Sequence, residues 1–136
     1  MKQSVEGKTV RDFMNPNPVT VPSRITLQEF VDKYLYHYHY KMFPVVKDTK
    51  ISGFITLQML KSHPQQEWKH LLVDKVMQLQ SADNTIASNI SINDALNRMS
   101  ETGLIRLLVV EQKKVVGIIT LKDLLEYMAL KMELEK

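Results

Sequence analysis

The chain has no cysteine among its 136 residues. That excludes a disulfide framework, a cysteine nucleophile and any thiolate metal site, and it suits a reducing compartment. Long apolar runs are also missing, and nothing approaches the roughly 20 residues of a membrane-spanning helix. Met1 to Lys8 is polar and has no apolar stretch of the signal-peptide kind. The chain therefore reads as cytoplasmic, free or as the cytosolic part of a membrane protein, with no direct membrane insertion. It has no low-complexity tract. Clustered positive charge is missing too. The net charge is +3, residues 1–68 carry 9 Lys+Arg against 6 Asp+Glu, and residues 69–136 carry 9 against 9. The longest basic run is Lys113-Lys114. That leaves no footprint for nucleic acid.

Catalytic spacing is equally sparse. No Ser-His-Asp set, carboxylate pair or phosphate-loop lysine stands out, so the chain is expected not to be an enzyme. His37 and His39 are two residues apart in an expected helix and point in different directions, so no metal site is expected.

What the chain does have is a repeat. Val10-Arg-Asp-Phe-Met14 is matched by Val73-Asp-Lys-Val-Met77. Ile51-Ser-Gly-Phe-Ile-Thr-Leu57 is matched, 64 residues later, by Val115-Val-Gly-Ile-Ile-Thr-Leu121. Each copy opens with a short β-branched run, Val19-Thr20-Val21 or Asn84-Thr85-Ile86. A helix follows, with Leu27, Phe30, Val31, Tyr34, Leu35 and Tyr38 on one face in the first copy and Ile92, Ala95, Leu96 and Met99 in the second. The second copy's helix should stop at Gly103. Two apolar strands joined by a short polar loop predict a hairpin in each copy, and a second helix comes after it. Tyr34 and Tyr38 are expected in the core, with Tyr36 and Tyr40 free for an interface. Leu121, Leu124, Leu125, Met128 and Met132 share one face of the last helix.

The fold class is thus α/β (α+β), two β-α-β-β-α repeats packed as a pseudo-twofold pair. A unit of about 60 residues with one apolar sheet face would be marginal alone, so the copies are expected to share a core. The expected organisation is repeat 1 at 9–64, a linker at 65–72, repeat 2 at 73–128 and a helical tail at 129–136. That tail is read either as frayed or as an extension packing on a second subunit.

The order of patterns, the repeat length and the Pro-Val-Val…Gly-(Phe/Ile)-Ile-Thr strings resemble the CBS domain, tandem pairs of which are called Bateman modules. The resemblance covers roughly Thr9 to Tyr127. The aromatic helix Tyr34-Leu-Tyr-His-Tyr-His-Tyr40 and Pro64-Gln-Gln-Glu-Trp68 add a narrower resemblance to the CBS pair at the C-terminus of site-2-protease-type membrane zinc metallopeptidases. No His-Glu-x-x-His motif is present, so protease activity would lie elsewhere in a parent protein.

The resemblance implies a regulatory module that senses an adenosine-type ligand, either AMP, ADP or ATP or S-adenosylmethionine, and controls an attached effector. It requires no cofactor, and it implies a homodimer formed through the CBS helices. The alternative is a ligand-free dimerisation or docking module. Gly117-Ile-Ile-Thr-Leu-Lys-Asp123 is the most informative segment. The start of a helix offers N–H groups and a positive dipole end to phosphate. Thr120 would add a hydroxyl, and Asp123 would accept from vicinal ribose hydroxyls. The same Thr-x-x-Asp string is also a helix capping box, and both readings stand. Thr56 repeats Thr120, but Met59 replaces the aspartate, so at most one cleft should hold ribose in the usual way. The resemblance places Thr20, Val21, Thr85 and Ile86 beside an adenine, and Arg106 is within reach of a phosphate.

Overall fold

The computed structural model describes residues 7–135. They form two compact units, Pro18–Ser81 and a second made of residues 7–17 together with 82–135. The elements run in the order α1 (Val10–Phe13), β1 (Asn15–Pro16), β2 (Val21–Pro22), α2 (Leu27–Phe30), a π-helical turn (Val31–Leu35), α3 (Tyr36–Tyr38), β3 (Met42–Lys47), β4 (Lys50–Thr56) and α4 (Leu57–Lys61). Two 3₁₀ turns follow at Gln65–Glu67 and Val73–Lys75. The chain then continues through β5 (Gln78–Leu79), β6 (Thr85–Ile86), α5 (Ile92–Thr102), β7 (Arg106–Glu111), β8 (Lys114–Thr120) and α6 (Leu121–Leu134).

Each unit holds one four-stranded sheet, ordered β2-β3-β4-β5 in one and β1-β8-β7-β6 in the other. The β-branched runs enter as short parallel strands, Val21 beside Val45 and Ile86 beside Val109. Both expected hairpins form, β3 with β4 and β7 with β8, and each carries a register shift at the same place, Val45/Val46 and Val109/Val110. Their two-residue turns have both residues at positive φ, Asp48 and Thr49 in one and Gln112 and Lys113 in the other. That is the pattern of a type I′ turn, which matches the twist of the flanking strands. Neither turn has the Asn-Gly that usually announces it.

The fourth strand of each sheet comes from a distant part of the chain. Residues 7–17 stand at the start of the first repeat in sequence yet belong to the second unit. The Val10 and Arg11 N–H groups donate to the Ile90 and Ser88 carbonyls at 2.9 Å each. Residues 73–79 precede the second repeat's first strand yet pack on the first. There the Val73 and Asp74 N–H groups donate to Ile25 and Ser23 at 2.8 and 2.9 Å. Residues 65–72, expected as a linker, also belong to the first unit. Trp68 packs on its core and donates its indole N–H to the His63 carbonyl at 3.1 Å. The Trp68 and Leu71 carbonyls accept from the Gln28 and Leu27 N–H groups, satisfying donors in the first turn of α2.

The repeated glycine has its cause in these edge strands. A Cβ on Gly53 would overlap the Gln78 carbonyl oxygen on β5. A Cβ on Gly117 would stand 2.6 Å from Met14 Sδ and 3.0 Å from the Asn15 carbonyl on β1. Glycine is needed here for close backbone approach.

The cores follow the apolar periodicity. Val21, Leu27, Phe30, Phe43, Val45, Ile55 and Leu60 fill one, and Ile86, Ile92, Ala95, Leu107, Val109, Ile119 and Leu124 fill the other. Helix α5 ends where expected, with Gly103 at φ 77° donating to the Met99 carbonyl. The matching helical segment of the first unit, Leu27–Tyr38, is less regular. The Tyr36 N–H reaches back five residues to the Val31 carbonyl, and this π turn shifts the phase of everything after it. Tyr38, expected in the core, is instead 37% exposed. Leu125 also departs from expectation and faces solvent on α6 while Leu124 is buried. The last helix continues to Leu134, so the tail is an extended helix with Leu130, Met132 and Leu134 exposed.

Candidate functional site

Strand β8 ends at Thr120, whose extended backbone turns directly into α6. The Thr120 hydroxyl oxygen accepts from the Asp123 N–H at 3.1 Å. In the first unit Thr56 does the same for Met59, also at 3.1 Å. Both threonines are therefore helix caps, the bland reading of the motif. A cap still leaves the hydroxyl proton free to donate. Backbone N–H groups are scarcer than a bare helix start would offer. Leu121 gives its N–H to the Ile105 carbonyl at 2.9 Å and Asp123 gives its own to Thr120. The Lys122 N–H is the first-turn donor outside these two bonds.

Register decides which side chains converge. Arg106 is opposite Thr120, Leu108 is opposite Ile118, and Thr85 lies beside Leu108. Partners across a ladder share a face. Leu107, Val109 and Ile119 point into the helix-covered core. Arg106, Thr120 and Thr85 therefore share the opposite face. Ile86, one residue on, has its side chain in the core. Arg98 of α5 fixes this segment by donating from Nη1 to the Ala82 and Thr85 carbonyls, both at 2.7 Å.

A cleft of ≈ 550 Å³ lies along the start of α6, lined by Ile105, Arg106, Thr120, Leu121, Lys122 and Leu125 among others. Its lining carries two cations, Arg106 and Lys122, the Thr120 hydroxyl and one carboxylate, Glu126; the cations and the hydroxyl are groups that bond phosphate. Asp123, Thr85 and Ile86 do not line it. Asp123 sits on the β1 flank, where its Oδ2 accepts from Asn15 Nδ2 at 3.1 Å. Asn15 and Lys122 went unnoticed in the sequence. Asn15 is 108 residues from its partner, and no periodicity links them.

In the first unit Thr20 directly precedes β2, Val21 is fully buried in the core, and Thr56 pairs with Met42 where the second unit pairs Thr120 with Arg106. Met59 packs against the core cluster. No cation or carboxylate stands at the matching positions, so the chemistry of the two units differs although their ladders match.

A second cleft, ≈ 690 Å³, lies between α1 and the β7–β8 hairpin. There the Arg11 guanidinium bonds Ser88 Oγ at 2.7 Å and the Glu111 carboxylate at 2.6 Å, and Ser88 also donates to Glu111. These charges are already paired. Among the described residues no group of His, Asp or Glu is placed to hold a metal ion. No helix among them is long and apolar enough to cross a membrane.

The CBS domain profile matches residues 10–64 and again 75–130. Zinc metalloprotease MJ0392 of Methanocaldococcus jannaschii is 29% identical over 120 residues, covering 88% of this chain and 32% of that protein. The chain thus spans about a third of the length of the curated relatives it matches. Their zinc-metalloprotease names bear out the resemblance to CBS pairs of metallopeptidases. Among solved structures, the CBS domain of a bacterial CNNM/CorC family Mg²⁺ transporter in complex with ATP aligns with a TM-score of 0.81 at 20% identity, over 93% of this chain and 90% of that one. CBSX2 in complex with AMP aligns with a TM-score of 0.77 at 24% identity, over 93% and 99%. At these identities the structures establish a shared fold.

Proposed function

The chain belongs to the CBS domain family, as two tandem copies, and we propose that it is a regulatory module whose second unit senses an adenosine-type ligand. One observation carries this reading: only the second unit places a carboxylate, Asp123, one turn after the capping threonine, with Arg106 across the ladder from that threonine. Thr120, Arg106 and Lys122 would hold phosphate, Asp123 the ribose hydroxyls, and the backbone of Thr85 and Ile86 the base. AMP and ATP in complexes of this fold support the ligand class. The roles are binding roles, and no residue is assigned to catalysis.

The attached effector, in this reading, is a metalloprotease domain, because the relatives that match along 32% of their own length carry that name. Ligand binding would shift it between states by the difference in ligand affinity for the two. The cysteine-free composition suits the cytosolic side. Calorimetric titration with AMP, ADP, ATP and S-adenosylmethionine tests the ligand, with Asp123→Ala as the control. We expect heat from at least one of them and its loss in the variant. Silence from all four would remove the claim.

A second reading is a ligand-free homodimerisation module. It is favoured by the exposed Leu125, Leu130, Met132 and Leu134 on α6 and by the capping duty of Thr120. Light scattering together with the same titrations separates the two. A concentration-independent dimer that binds none of the four ligands supports the second.

A further inference from the structure

Asn15 lies on an edge strand with little freedom. It pairs with Ile118, and Pro16 pairs with Gly117. On either side the Met14 N–H donates to the Val10 carbonyl at 2.9 Å and the Asn17 N–H to the Val116 carbonyl at 3.2 Å. Met14 closes over Gly117, where a Cβ would not fit. The backbone that carries the carboxamide is thus held from three directions. Its Nδ2 donates to Asp123 Oδ2 at 3.1 Å. An ionised carboxylate only accepts, so the NH₂ end is the one that must face it.

Asp123 itself is fixed at the backbone by Thr120. Asn15 is the partner that fixes its side chain. Two carboxylate oxygens offer about four acceptor sites, and Asn15 takes one of them. Among the described residues no other group bonds this carboxylate, which leaves acceptor capacity for two hydroxyl donors. In the first unit the register position of Asn15 is held by Gln78, opposite Phe54, and Met59 stands where Asp123 would be. The amide and the acid are therefore both present in one unit, and the acid is missing from the other.

We infer that Asn15 is a positioning residue that aims the Asp123 carboxylate at a vicinal diol, and so sets the preference for ribose over deoxyribose. The inference rests on the ligand reading above and adds to it the residue that makes the sugar selectivity. A hydrogen bond to a charged group that fixes its rotamer corresponds to roughly a tenfold change in affinity.

The test is calorimetry on the 136-residue chain with AMP and 2′-deoxy-AMP, comparing the parent, Asn15→Ala and Asn15→Asp. The parent should prefer AMP. Asn15→Ala should lose about tenfold for AMP and little for 2′-deoxy-AMP. Asn15→Asp, which places two carboxylates together, should lose more for AMP. Thermal melting of each variant checks that the fold is kept. Equal losses for both nucleotides would mark a merely structural role and overturn the inference. Unchanged AMP binding in Asn15→Ala would overturn it while leaving the ligand reading intact. A parent that binds neither nucleotide would overturn both.

Discussion

Gly53 and Gly117 occupy the same register position in two matching sheets, yet they face different things. Gly53 meets a backbone carbonyl, that of Gln78, and backbone moves only if β5 moves. Gly117 meets first the thioether of Met14, the far end of a flexible side chain. An added methyl should therefore be costly at Gly53 and milder at Gly117. We expect Gly53→Ala to destabilise by about 1–3 kcal/mol and Gly117→Ala by less, read from urea midpoints at unchanged m-value. Equal costs would mean that Met14 is as immobile as backbone.

Glu29 supplies a second prediction at the residue scale. The Thr26 backbone N–H holds its carboxyl below the ordinary value of 4.5, helped by the Thr26 hydroxyl and Lys33 and opposed by partial desolvation. A carboxyl with a lowered folded pKa stabilises when ionised. Its contribution is present above the unfolded pKa and is lost as pH falls through the folded one. Glu29→Gln should keep the capping geometry but remove this dependence. The stability gap between the parent and Glu29→Gln should therefore narrow as pH falls from neutral to well below the ordinary carboxyl value of 4.5. A gap that stays constant or widens would contradict the assignment.

At the scale of elements, Thr56 and Thr120 form a built-in control. Each caps the helix that follows its sheet, with the same 3.1 Å bond. Replacing either by alanine should cost about 1 kcal/mol in thermal or denaturant unfolding. Only Thr120→Ala should also weaken AMP binding, because only Thr120 stands across from Arg106. If both variants bind AMP like the parent, Thr120 is a cap and nothing more.

The elements also show what could be read in advance. The hairpins, α5 with its stop at Gly103, and the last helix are local, and their apolar spacing and loop residues announced them. The π turn at Val31–Leu35 was not legible, because a helical stripe looks the same until one N–H reaches back five residues. Tyr38 was misplaced for that reason. Leu125 was misplaced because an apolar stripe five residues wide is broader than the face α6 buries. The proposed ligand residues Thr120, Asp123 and Arg106 stand out because each copy comments on the other: a matched threonine, then a mismatch at Met59 and Met42. Asn15 and the docking of residues 7–17 and 65–81 depend on contacts far apart along the chain, from 24 residues for Phe54 and Gln78 to 108 for Asn15 and Asp123. No local pattern encodes them.

At the scale of the whole molecule, the units are built on one plan and carry different chemistry. In the second, the N-terminal segment, residues 7–17, supplies both an edge strand and the amide that meets Asp123. A ligand held there should tighten this unit first. Ligand at about 100 times its Kd adds about 2.7 kcal/mol to the stability of the state that binds it. If the gain resides in the second unit, it should raise amide-exchange protection in residues 9–17 and 106–123 more than in Pro18–Ser81. Hydrogen exchange with and without saturating AMP measures this directly. Protection centred on Thr56 and Thr20 would instead put the ligand in the first unit, where Met59 offers no acceptor, and the asymmetry drawn from Asp123 would fail.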